Sequence, residues 1–318
     1  MSDTRRELVR LPAGGRRLTR VQAVRRSVRD GVLTPAYWLL AHGVGTPGLD
    51  IHRRCAALGA RLLLRGRRHL SPAAAFHCVV APLDSVRYFE FDFAWRALSA
   101  AAPRAYLDVS SPRLLPALLL AERPGLVADL LNPDVKDLDQ TRRLMAAAGL
   151  ADRCRFHSAL IDQAGFAPES FDVITSISVL EHIPDDGAAV RAIWRTLRPG
   201  GRLVLSVPCA REPFEEYFDY NEYGLLEPDE RGFVFAQRFY SAAQLEQRVF
   251  SVTGRPVRQA VYGEKRPGLL SENRRQKVGD PRYPWYREAY MMGRDFTLFP
   301  RIDAMPASGV IAMEFVKG

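Results

Sequence analysis

Carboxyl and hydroxyl side chains stand where two apolar runs of this 318-residue chain end, and together they could hold a polar ligand. The first run ends in Asp108, Ser110 and Ser111, and the second ends at Asp129, which follows Asp108 by 21 residues. A strand–helix–strand unit of that length places an acid beside a ribose bound at the first loop. Because a carboxylate can accept a hydrogen bond from each ribose hydroxyl, this spacing predicts a nucleotide-type ligand.

A further group of polar residues follows two later runs of the chain. Asp162 follows the third run, while the fourth run, from Phe171, reaches Ser176 and then Glu181 and His182. An imidazole whose pKa lies near neutrality is suited to remove a proton from a hydroxyl or an amine. His182 is therefore the candidate general base. The alternative is that Glu181 and His182 only shape the wall of a pocket.

The elements that must position these residues alternate between strand and helix. Runs rich in β-branched and apolar residues predict strands at residues 105–109, 126–130, 153–158, 171–176 and 202–207. Helical patterns fill the gaps, at residues 138–148 and 185–197 and in a first helix that Pro112 opens. This order produces a parallel sheet through right-handed crossovers. Since ligands of such sheets bind beyond the carboxyl ends of the strands, the polar residues lie where a site is expected.

The chain after the fifth strand is less regular. Residues 209–240 mix acidic and aromatic side chains without a clean period, which predicts a lid or a substrate-facing insertion. A helix at residues 241–250, a strand at 257–262 and a last strand at 310–316 should follow. Between these two strands, residues 263–308 form a second irregular insertion rich in arginine and proline.

The N-terminal region, residues 1–100, is expected to be a basic and mainly helical extension of a domain at residues 101–318. Residues 1–70 hold 15 arginines against 4 acidic residues, whereas the whole chain has a net charge of +9. The basic character of the protein therefore belongs to this segment. Its field can attract nucleic acid or provide peripheral contact with an anionic surface, and a solvated basic surface is the alternative.

Within this region the first residues lack periodicity, and a frayed start is expected before Leu18. Apolar residues then recur at three- and four-residue steps, which predicts one helix with an apolar stripe: Leu18, Val21, Val24, Val28 and Val32. A second helix is predicted at residues 51–64. We expect both helices to pack on their own domain in preference to a membrane.

Composition and cysteine usage exclude several classes of protein. A chain with 47% hydrophobic residues can bury a full core, and its apolar runs fall short of the about 20 residues that cross a bilayer. The four cysteines are far apart in the sequence: Cys55, Cys78, Cys154 and Cys209. This spacing predicts neither a disulfide framework nor a metal site. The expected protein is cytoplasmic, with reduced thiols.

Three segments, taken in order and at their spacing, resemble the class I S-adenosylmethionine-dependent methyltransferases of the small-molecule type. They are Phe-Asp-Val-Ile at residues 171–174, Leu-Glu-His-Ile-Pro at 180–184 and Leu-Arg-Pro-Gly-Gly-Arg-Leu-Val-Leu at 197–205. The resemblance covers residues 104–316. It implies an α/β fold with a Rossmann-like, seven-stranded, mostly parallel sheet whose last strand is antiparallel. It also implies that the cofactor is S-adenosyl-L-methionine.

The resemblance also assigns cofactor contacts to residues of this chain. It implies that the methionine end of the cofactor lies at Asp108, Ser110 and Ser111, and that the ribose lies at Asp129. The remaining implied contacts are at strand ends, with the last of them near the adenine: Leu130, Ser176, Ile177 and Asp162. The family normally carries Asp-x-Gly-x-Gly at the first loop, where this chain has Ser110 and Pro112. The loop is therefore bulkier than a glycine loop and less permissive.

For the acceptor, the resemblance implies a small molecule bound by the stretch after the fifth strand. Tyr217, Tyr220 and Tyr223 crowd that stretch and are the candidate substrate-binding residues, with a mobile acidic lid as the alternative. His182 is the candidate catalytic residue. The leading interpretation is an enzyme that moves a methyl group to a hydroxyl or amine of a specialised metabolite or a saccharide. Methyl transfer needs chiefly alignment of the reacting groups, so a catalytic side chain is not obligatory.

Two other functions compete with this interpretation. The missing loop glycines are compatible with a catalytically silent relative that keeps the fold as an interaction or regulatory module. An RNA methyltransferase that uses residues 1–70 as a basic arm is the second, although Ser-Ile-Ser-Val stands at residues 176–179 where base-amino methyltransferases carry an Asn/Asp-Pro-Pro-aromatic turn. A dehydrogenase is disfavoured because the first loop lacks Gly-x-Gly-x-x-Gly.

Overall fold

The computed structural model describes residues 4–10, 18–65, 69–99, 103–221 and 223–318, and its N-terminal part is mainly helical. The elements of that part are β1 (Arg5–Val9), α1 (Arg20–Gly43), α2 (Leu49–Arg65), α3 (Pro72–Val80) and α4 (Arg87–Ser99). α1 begins at a capping box in which the side chains of Thr19 and Gln22 each accept a backbone N–H of the other residue. Ser71 caps α3 in the same region by accepting the N–H of Ala74.

The central part alternates strands and helices, as the sequence predicts. Its elements are β2 (Ala105–Val109), α5 (Leu114–Glu122), β3 (Val127–Leu131), α6 (Val135–Ala147), β4 (Cys154–His157), β5 (Phe171–Ile177), α7 (Asp186–Thr196) and β6 (Leu197–Ala210). Asp134 caps α6 and Asp185 caps α7, because each carboxylate accepts N–H groups of the first helical turn. The helices therefore start directly after the strand ends that carry the polar residues.

The C-terminal part adds three strands to one edge of this unit and two strands to a separate sheet. Its elements are β7 (Phe214–Phe218), β8 (Val234–Phe239), α8 (Ala242–Leu245), α9 (Ser251–Thr253), β9 (Arg258–Glu264), α10 (Leu269–Gly279), α11 (Glu288–Asp295), β10 (Phe296–Phe299) and β11 (Ser308–Val316). A π turn at Glu246–Phe250 joins α8 to α9, so the helix predicted at residues 241–250 is one interrupted helical segment.

The main sheet has eight strands in the order β10-β9-β11-β6-β5-β2-β3-β4. Neighbours from β6 to β4 are parallel, whereas β11 runs antiparallel to both β6 and β9. The predicted Rossmann-like α/β fold with an antiparallel last strand is confirmed. The expected count of seven strands was too low, because β10 adds an antiparallel edge strand beside β9.

The N-terminal helices share a core with the sheet. One apolar cluster joins Leu58 of α2, Phe91 of α4, Leu118 of α5 and Tyr262 of β9. A second cluster covers the opposite face of the sheet, against α7. The division into an extension at residues 1–100 and a domain at residues 101–318 stays a prediction, and the shared core binds the two parts together.

Two expectations about irregular segments were wrong. Residues 5–9 form β1, which pairs in parallel with β7, while β7 pairs with β8 in a separate three-stranded sheet. Residues 263–308 contain α10, α11 and β10, where an irregular insertion was expected. These strands gain their partners from distant segments, which local periodicity does not reveal. Residues 1–3 and 11–17 of the expected frayed start lie outside the described residues.

The apolar stripe of the first predicted helix also differs from expectation. The helix forms as α1, but Val21, Val24, Val28 and Val32 point outward and are all more than half exposed. α1 packs on its own domain as expected, against α11, but it does so through the face opposite this stripe.

Candidate functional site

A cavity of about 960 Å³ opens at the carboxyl ends of β2, β3, β4 and β5. We call the part lined from residues 109–114, 131–134 and 159–161 the strand half, and the part lined from residues 69–91, 218–226 and 234–236 the lid half. Small-molecule sites occupy about 300–1,000 Å³, so this cavity is at the large end of that range.

The loop after β2 keeps the shape of a glycine loop although it has no glycine. Ser110 lies in the left-handed region with a φ of 52°, a conformation that glycine adopts without cost. Its N–H and its hydroxyl both donate to the Leu131 carbonyl, at 2.8 and 3.0 Å. The hydroxyl of Ser111 accepts the N–H of Ile177 at 3.1 Å. Both serines line the strand half, but their hydrogen bonds hold the loop to β3 and β5.

Asp108 lies beneath this loop, outside the cavity lining. Its carboxylate accepts hydrogen bonds from Thr175 at 2.7 Å, from Tyr106 at 3.1 Å and from the N–H of Ser111 at 3.1 Å. Burial raises the pKa of Asp108 to about 6, against the opposing effect of these hydrogen bonds. These hydrogen bonds indicate that Asp108 shapes the loop.

Asp129 does not face the cavity. Its carboxylate forms a two-point ion pair with the Arg155 guanidinium at 2.6 and 2.9 Å and lies 2.7 Å from Nε2 of His157. The strand register places all three side chains on the face of the sheet away from α5. The ribose contact predicted for Asp129 therefore has no support from the geometry.

The other cofactor contacts expected from the sequence also lie outside the lining. Leu130, Ser176 and Ile177 are buried in the sheet, and Asp162 is exposed. The two residues before Asp162, Leu160 and Ile161, do line the strand half. The adenine contact predicted near residues 160–162 is not tested by this lining, and Asp162 stays a prediction.

Two polar residues missed by the sequence analysis line the strand half with unsatisfied atoms. Arg113 pairs with Asp137 through one guanidinium nitrogen, while its Nε is buried without a hydrogen-bond partner among the described residues. Oδ1 of Asp134 accepts the N–H groups of Lys136 and Asp137, and Oδ2 has no partner among these residues. Their positions gave a signal, because one opens a helix and the other caps one directly after a strand.

The end of β5 is tied to the N-terminal helix α4 by a buried charge cluster. Ser178 lines the cavity in the left-handed region with a φ of 49°, and its hydroxyl donates to Glu90. Ser206 donates to the same Glu90 oxygen at 2.7 Å, and Arg87 pairs with the other oxygen. Glu90 is fully buried. No local pattern marked Glu90 as a site residue, because its serine partners come from strands far away in the sequence, while Arg87 pairs with it on the same helix.

Glu181 and His182 follow this cluster on a single helical turn. Nδ1 of His182 lies 2.6 Å from the Ala236 carbonyl, and since a carbonyl only accepts, Nδ1 carries the proton and Nε2 does not. Burial lowers the pKa of His182 to about 4, so the ring is neutral at pH 7. Burial raises the pKa of Glu181 to about 8, and its Oε2 has no partner within the described residues. Nε2 of His182 and Oε1 of Glu181 are 3.8 Å apart.

The three candidate tyrosines have separate positions. Tyr220 and Tyr223 line the lid half, and the Tyr223 ring lies edge-on to His182 with centroids 5.3 Å apart. Tyr217 lies outside the lining, where the Arg6 guanidinium covers its ring at 4.9 Å. From the N-terminal region, Arg87 and Phe91 complete the lid half. Two tyrosines of the predicted set therefore reach the cavity.

The described part of the chain has neither a cluster of metal ligands nor a membrane-spanning helix. No group of three or more His, Cys, Asp or Glu residues lies close enough there to hold a metal ion. The four cysteines are free thiols. None of the described helices combines the length and the apolar character needed to span a bilayer.

The segment that carries these strand ends is similar to a known protein family. The model of the family described as methyltransferase domain matches residues 108–205. Methyltransferase GfsG of Streptomyces halstedii is 33% identical over 112 residues, which are 35% of this chain and 40% of that protein. The ubiquinone biosynthesis O-methyltransferase of Idiomarina loihiensis is 30% identical over 127 residues, covering 39% of this chain and 51% of that protein.

A solved structure supports the fold. The crystal structure of the MccD protein has a TM-score of 0.51 and 10% identity, and the match covers 74% of this chain and 100% of that one. At this identity the likeness shows the fold alone. The chain spans about half or less of the curated relatives it matches, 40% and 51% of their lengths.

Proposed function

Since residues 108–205 belong to the class I S-adenosylmethionine-dependent methyltransferases, we propose that this chain transfers a methyl group to a hydroxyl or amine of a small molecule. A specialised metabolite or a saccharide is the proposed class of acceptor. The observation that carries this proposal is that the strand ends of the matched segment open onto the cavity. The name of one relative, an O-methyltransferase, favours oxygen as the methylated atom.

The strand half would bind the cofactor through the polar side chains that line it. Arg113 is one of them, and its guanidinium would pair with the cofactor carboxylate. Oδ2 of Asp134 would accept a ribose hydroxyl, in place of Asp129. Leu160 and Ile161 would contact the adenine, because they line the cavity after β4. Ser110 and Ser111 act by holding the loop open in its left-handed turn.

Chemistry at the acceptor needs alignment and one proton transfer. The bound sulfonium supplies an activated methyl group and leaves as a neutral thioether. An oxygen that gains a methyl group becomes strongly acidic, so even a weak base can take its proton. Nε2 of His182 is an unprotonated base at pH 7 and lies in the cavity wall. His182 would accept the acceptor proton as the oxygen–methyl bond forms.

Glu181, the residue before His182, would stabilise the unprotonated imidazole as a neutral neighbour. Its carboxyl is protonated at neutral pH because its pKa is raised to about 8. A neutral Glu181 leaves the Arg87–Glu90 pair balanced in charge, whereas a charged one would add a second carboxylate to a buried cluster. This protonation state also avoids a field that would raise the proton affinity of His182.

The lid half would select an acceptor with an apolar or aromatic body. Phe91, Tyr220, Tyr223 and Phe235 line it, and aromatic side chains bury large areas with defined geometry. Arg87 adds a cation at the same wall. Apolar and aromatic contacts would bind the body of the acceptor, and His182 would receive its hydroxyl or amine.

A catalytically silent relative is the second candidate, and one observation favours it. The N–H and hydroxyl of Ser110 and the hydroxyl of Ser111 already have partners within the protein. A loop whose donors are all engaged offers the methionine end of a cofactor fewer contacts than a glycine loop does. The two candidates differ in whether the strand half binds the cofactor at all.

Isothermal titration of the full chain with S-adenosylhomocysteine separates these candidates. An enzyme should bind one molecule per chain, and it should release S-adenosylhomocysteine when supplied with S-adenosylmethionine and a panel of phenols, sugars and amines. If the chain binds the cofactor but methylates no acceptor, the fold assignment stands and the proposed enzymatic activity is overturned. Absence of binding to both cofactor forms would establish the silent relative.

A further inference from the structure

α1 presents its apolar side to the solvent, which is the reverse of the usual arrangement of a surface helix. Its outward side chains are 51–70% exposed at six large apolar positions: Val21, Val24, Val28, Val32, Leu39 and Leu40. Pro35 and Ala36 are exposed between them. The stripe runs from residue 21 to residue 40, about 29 Å of helix at about 1.5 Å per residue. Contiguous apolar surface of this extent marks an interaction site.

The polar side of the same helix is turned into the protein. Asp30 is buried and pairs with Arg29 at 2.8 Å, while Arg26 donates to the carbonyl of Pro281 at 2.9 Å. Tyr37 packs edge-on to Tyr286, with ring centroids 5.0 Å apart. These contacts fix the rotation of α1. The apolar stripe therefore cannot turn inward without breaking buried ion pairs and hydrogen bonds.

The segments of this chain that the structure does not describe are too short to cover the stripe. The longest, residues 11–17, is held at both ends by β1 and by the start of α1. Its single large apolar residue is Leu11. Seven residues span at most about 25 Å when fully extended, and such a segment would offer one side chain to a stripe of six.

We propose that the stripe is the interface of a homodimer in which two copies of α1 pack antiparallel about a two-fold axis at Val32. An axis there pairs each residue with a partner so that the two numbers add to 64. Val28 then meets Ala36 of the second copy, and Val32 meets its own counterpart. Every position in these pairs is exposed in the monomer, and large residues face small ones near the axis. The stripe is thus self-complementary, as a two-fold interface must be.

Charge favours a second copy over a lipid surface. Arg25 is the cation on the outward face, and the axis places it opposite Leu39. The two Arg25 residues of a dimer would be about 21 Å apart along the helices, more than two Debye lengths of about 8 Å. A helix that binds anionic lipid has its polar face free and rich in cations. In α1 the arginines at positions 26 and 29 are engaged with the protein instead.

Sedimentation equilibrium of the full chain tests the proposal. Wild type should be a dimer at micromolar concentration, and Val32→Glu, which sets two carboxylates face to face at the axis, should weaken the dimer about 100-fold or more. Val257→Glu is the matched control, because Val257 is 64% exposed but lies before β9, away from the stripe. It should leave the dimer unchanged. A wild type that is monomeric, or a Val32→Glu variant as dimeric as wild type, would overturn the proposal.

Disulfide cross-linking tests the register independently of stability. Under mild oxidation Val32→Cys should link to a second copy of itself, and a mixture of Val28→Cys with Ala36→Cys should give a mixed dimer. Leu64→Cys, on the exposed end of α2, should not cross-link. Flotation with vesicles of anionic phospholipid completes the set. Vesicle binding that Val32→Glu abolishes, in a chain that stays monomeric, would replace the dimer with a lipid surface.

Discussion

The two halves of the cavity are built in different ways. In the strand half Ser110, Asp134 and Arg113 find partners within one strand–helix–strand unit, between residues 108 and 137. The lid half depends on contacts between distant segments: Glu90 accepts from Ser178 and Ser206, which are 88 and 116 residues away along the chain. A cofactor site can therefore be shaped by local sequence, whereas the acceptor site exists only after the N-terminal helices have docked.

The largest expected effect comes from breaking the contact between the N-terminal helices and the sheet. Glu90→Ala leaves Arg87 unpaired and two serine hydroxyls without their acceptor. Breaking a buried ion pair costs about 3–5 kcal/mol, so urea denaturation should show a loss of that size in the free energy of unfolding.

Glu122→Ala is the matched control for that substitution. Glu122 pairs with Arg54 on the surface, and an exposed pair contributes about 1 kcal/mol or less. Equal losses in the two variants would show that the Glu90 cluster does not join the two parts of the molecule.

The next effect concerns the proposed base in the wall between the two halves. His182→Gln keeps a hydrogen-bonding side chain but removes the imidazole nitrogen, and kcat should fall about 100-fold. Affinity for S-adenosylhomocysteine, measured by calorimetry, should stay within about twofold. An unchanged kcat would show that alignment alone carries the reaction.

Glu181 should make stability depend on pH. Its folded pKa of about 8 lies above the ordinary value of 4.5, so its contribution is full below pH 4.5 and is lost as pH rises through 8. Glu181→Gln cannot ionise and lacks this slope. Between pH 6 and pH 8 the free energy of unfolding of wild type should fall by about 2 kcal/mol relative to the variant. Parallel curves for the two proteins would contradict a neutral Glu181.

A smaller effect distinguishes Arg113, which lines the strand half, from Arg155, which lies outside it. Arg113→Leu removes the guanidinium that would bind the cofactor carboxylate. Affinity for S-adenosylhomocysteine should then fall about tenfold, because one charged hydrogen bond contributes about 1.5 kcal/mol. Arg155→Leu is the control, because Arg155 binds Asp129 outside the cavity. If Arg155→Leu weakens binding and Arg113→Leu does not, the ribose site is at Asp129 after all.

The smallest effect lies at the acceptor wall. Tyr223→Leu should raise the KM for the acceptor about fivefold, since an aromatic contact contributes about 0.5–1.5 kcal/mol. Tyr217→Leu serves as the control, because this ring lies under Arg6 outside the cavity. Steady-state kinetics with one acceptor checks both variants. Equal changes in KM would remove the distinction between the two tyrosines.

The sequence predicts the strand half better than the lid half for physical reasons. β2 begins and ends where the apolar run predicted, and Ser110 and His182 line the cavity. The spacing suggested a ligand contact for Asp129, but spacing along a chain does not tell which face of a strand a side chain occupies. A shift of one residue in register determines whether the side chain faces a ligand or pairs with Arg155.

The remaining errors share a different cause. β1 and β7 pair across more than two hundred residues, and no local period reports such a partner. The stripe of α1 has the period of a packed helix, yet it faces outward. Periodicity shows that a helix has an apolar face, but it does not show what that face meets. Tertiary contacts such as Arg26 to Pro281 settle that question.

A crystal structure of the full chain with bound S-adenosylhomocysteine tests the division of the cavity most directly. The account predicts the cofactor carboxylate at Arg113, the ribose at Asp134 and the sulfur directed toward His182 and Tyr223, with the lid half open for an acceptor. A cofactor whose ribose contacts Asp129, or one that occupies the lid half, would contradict it.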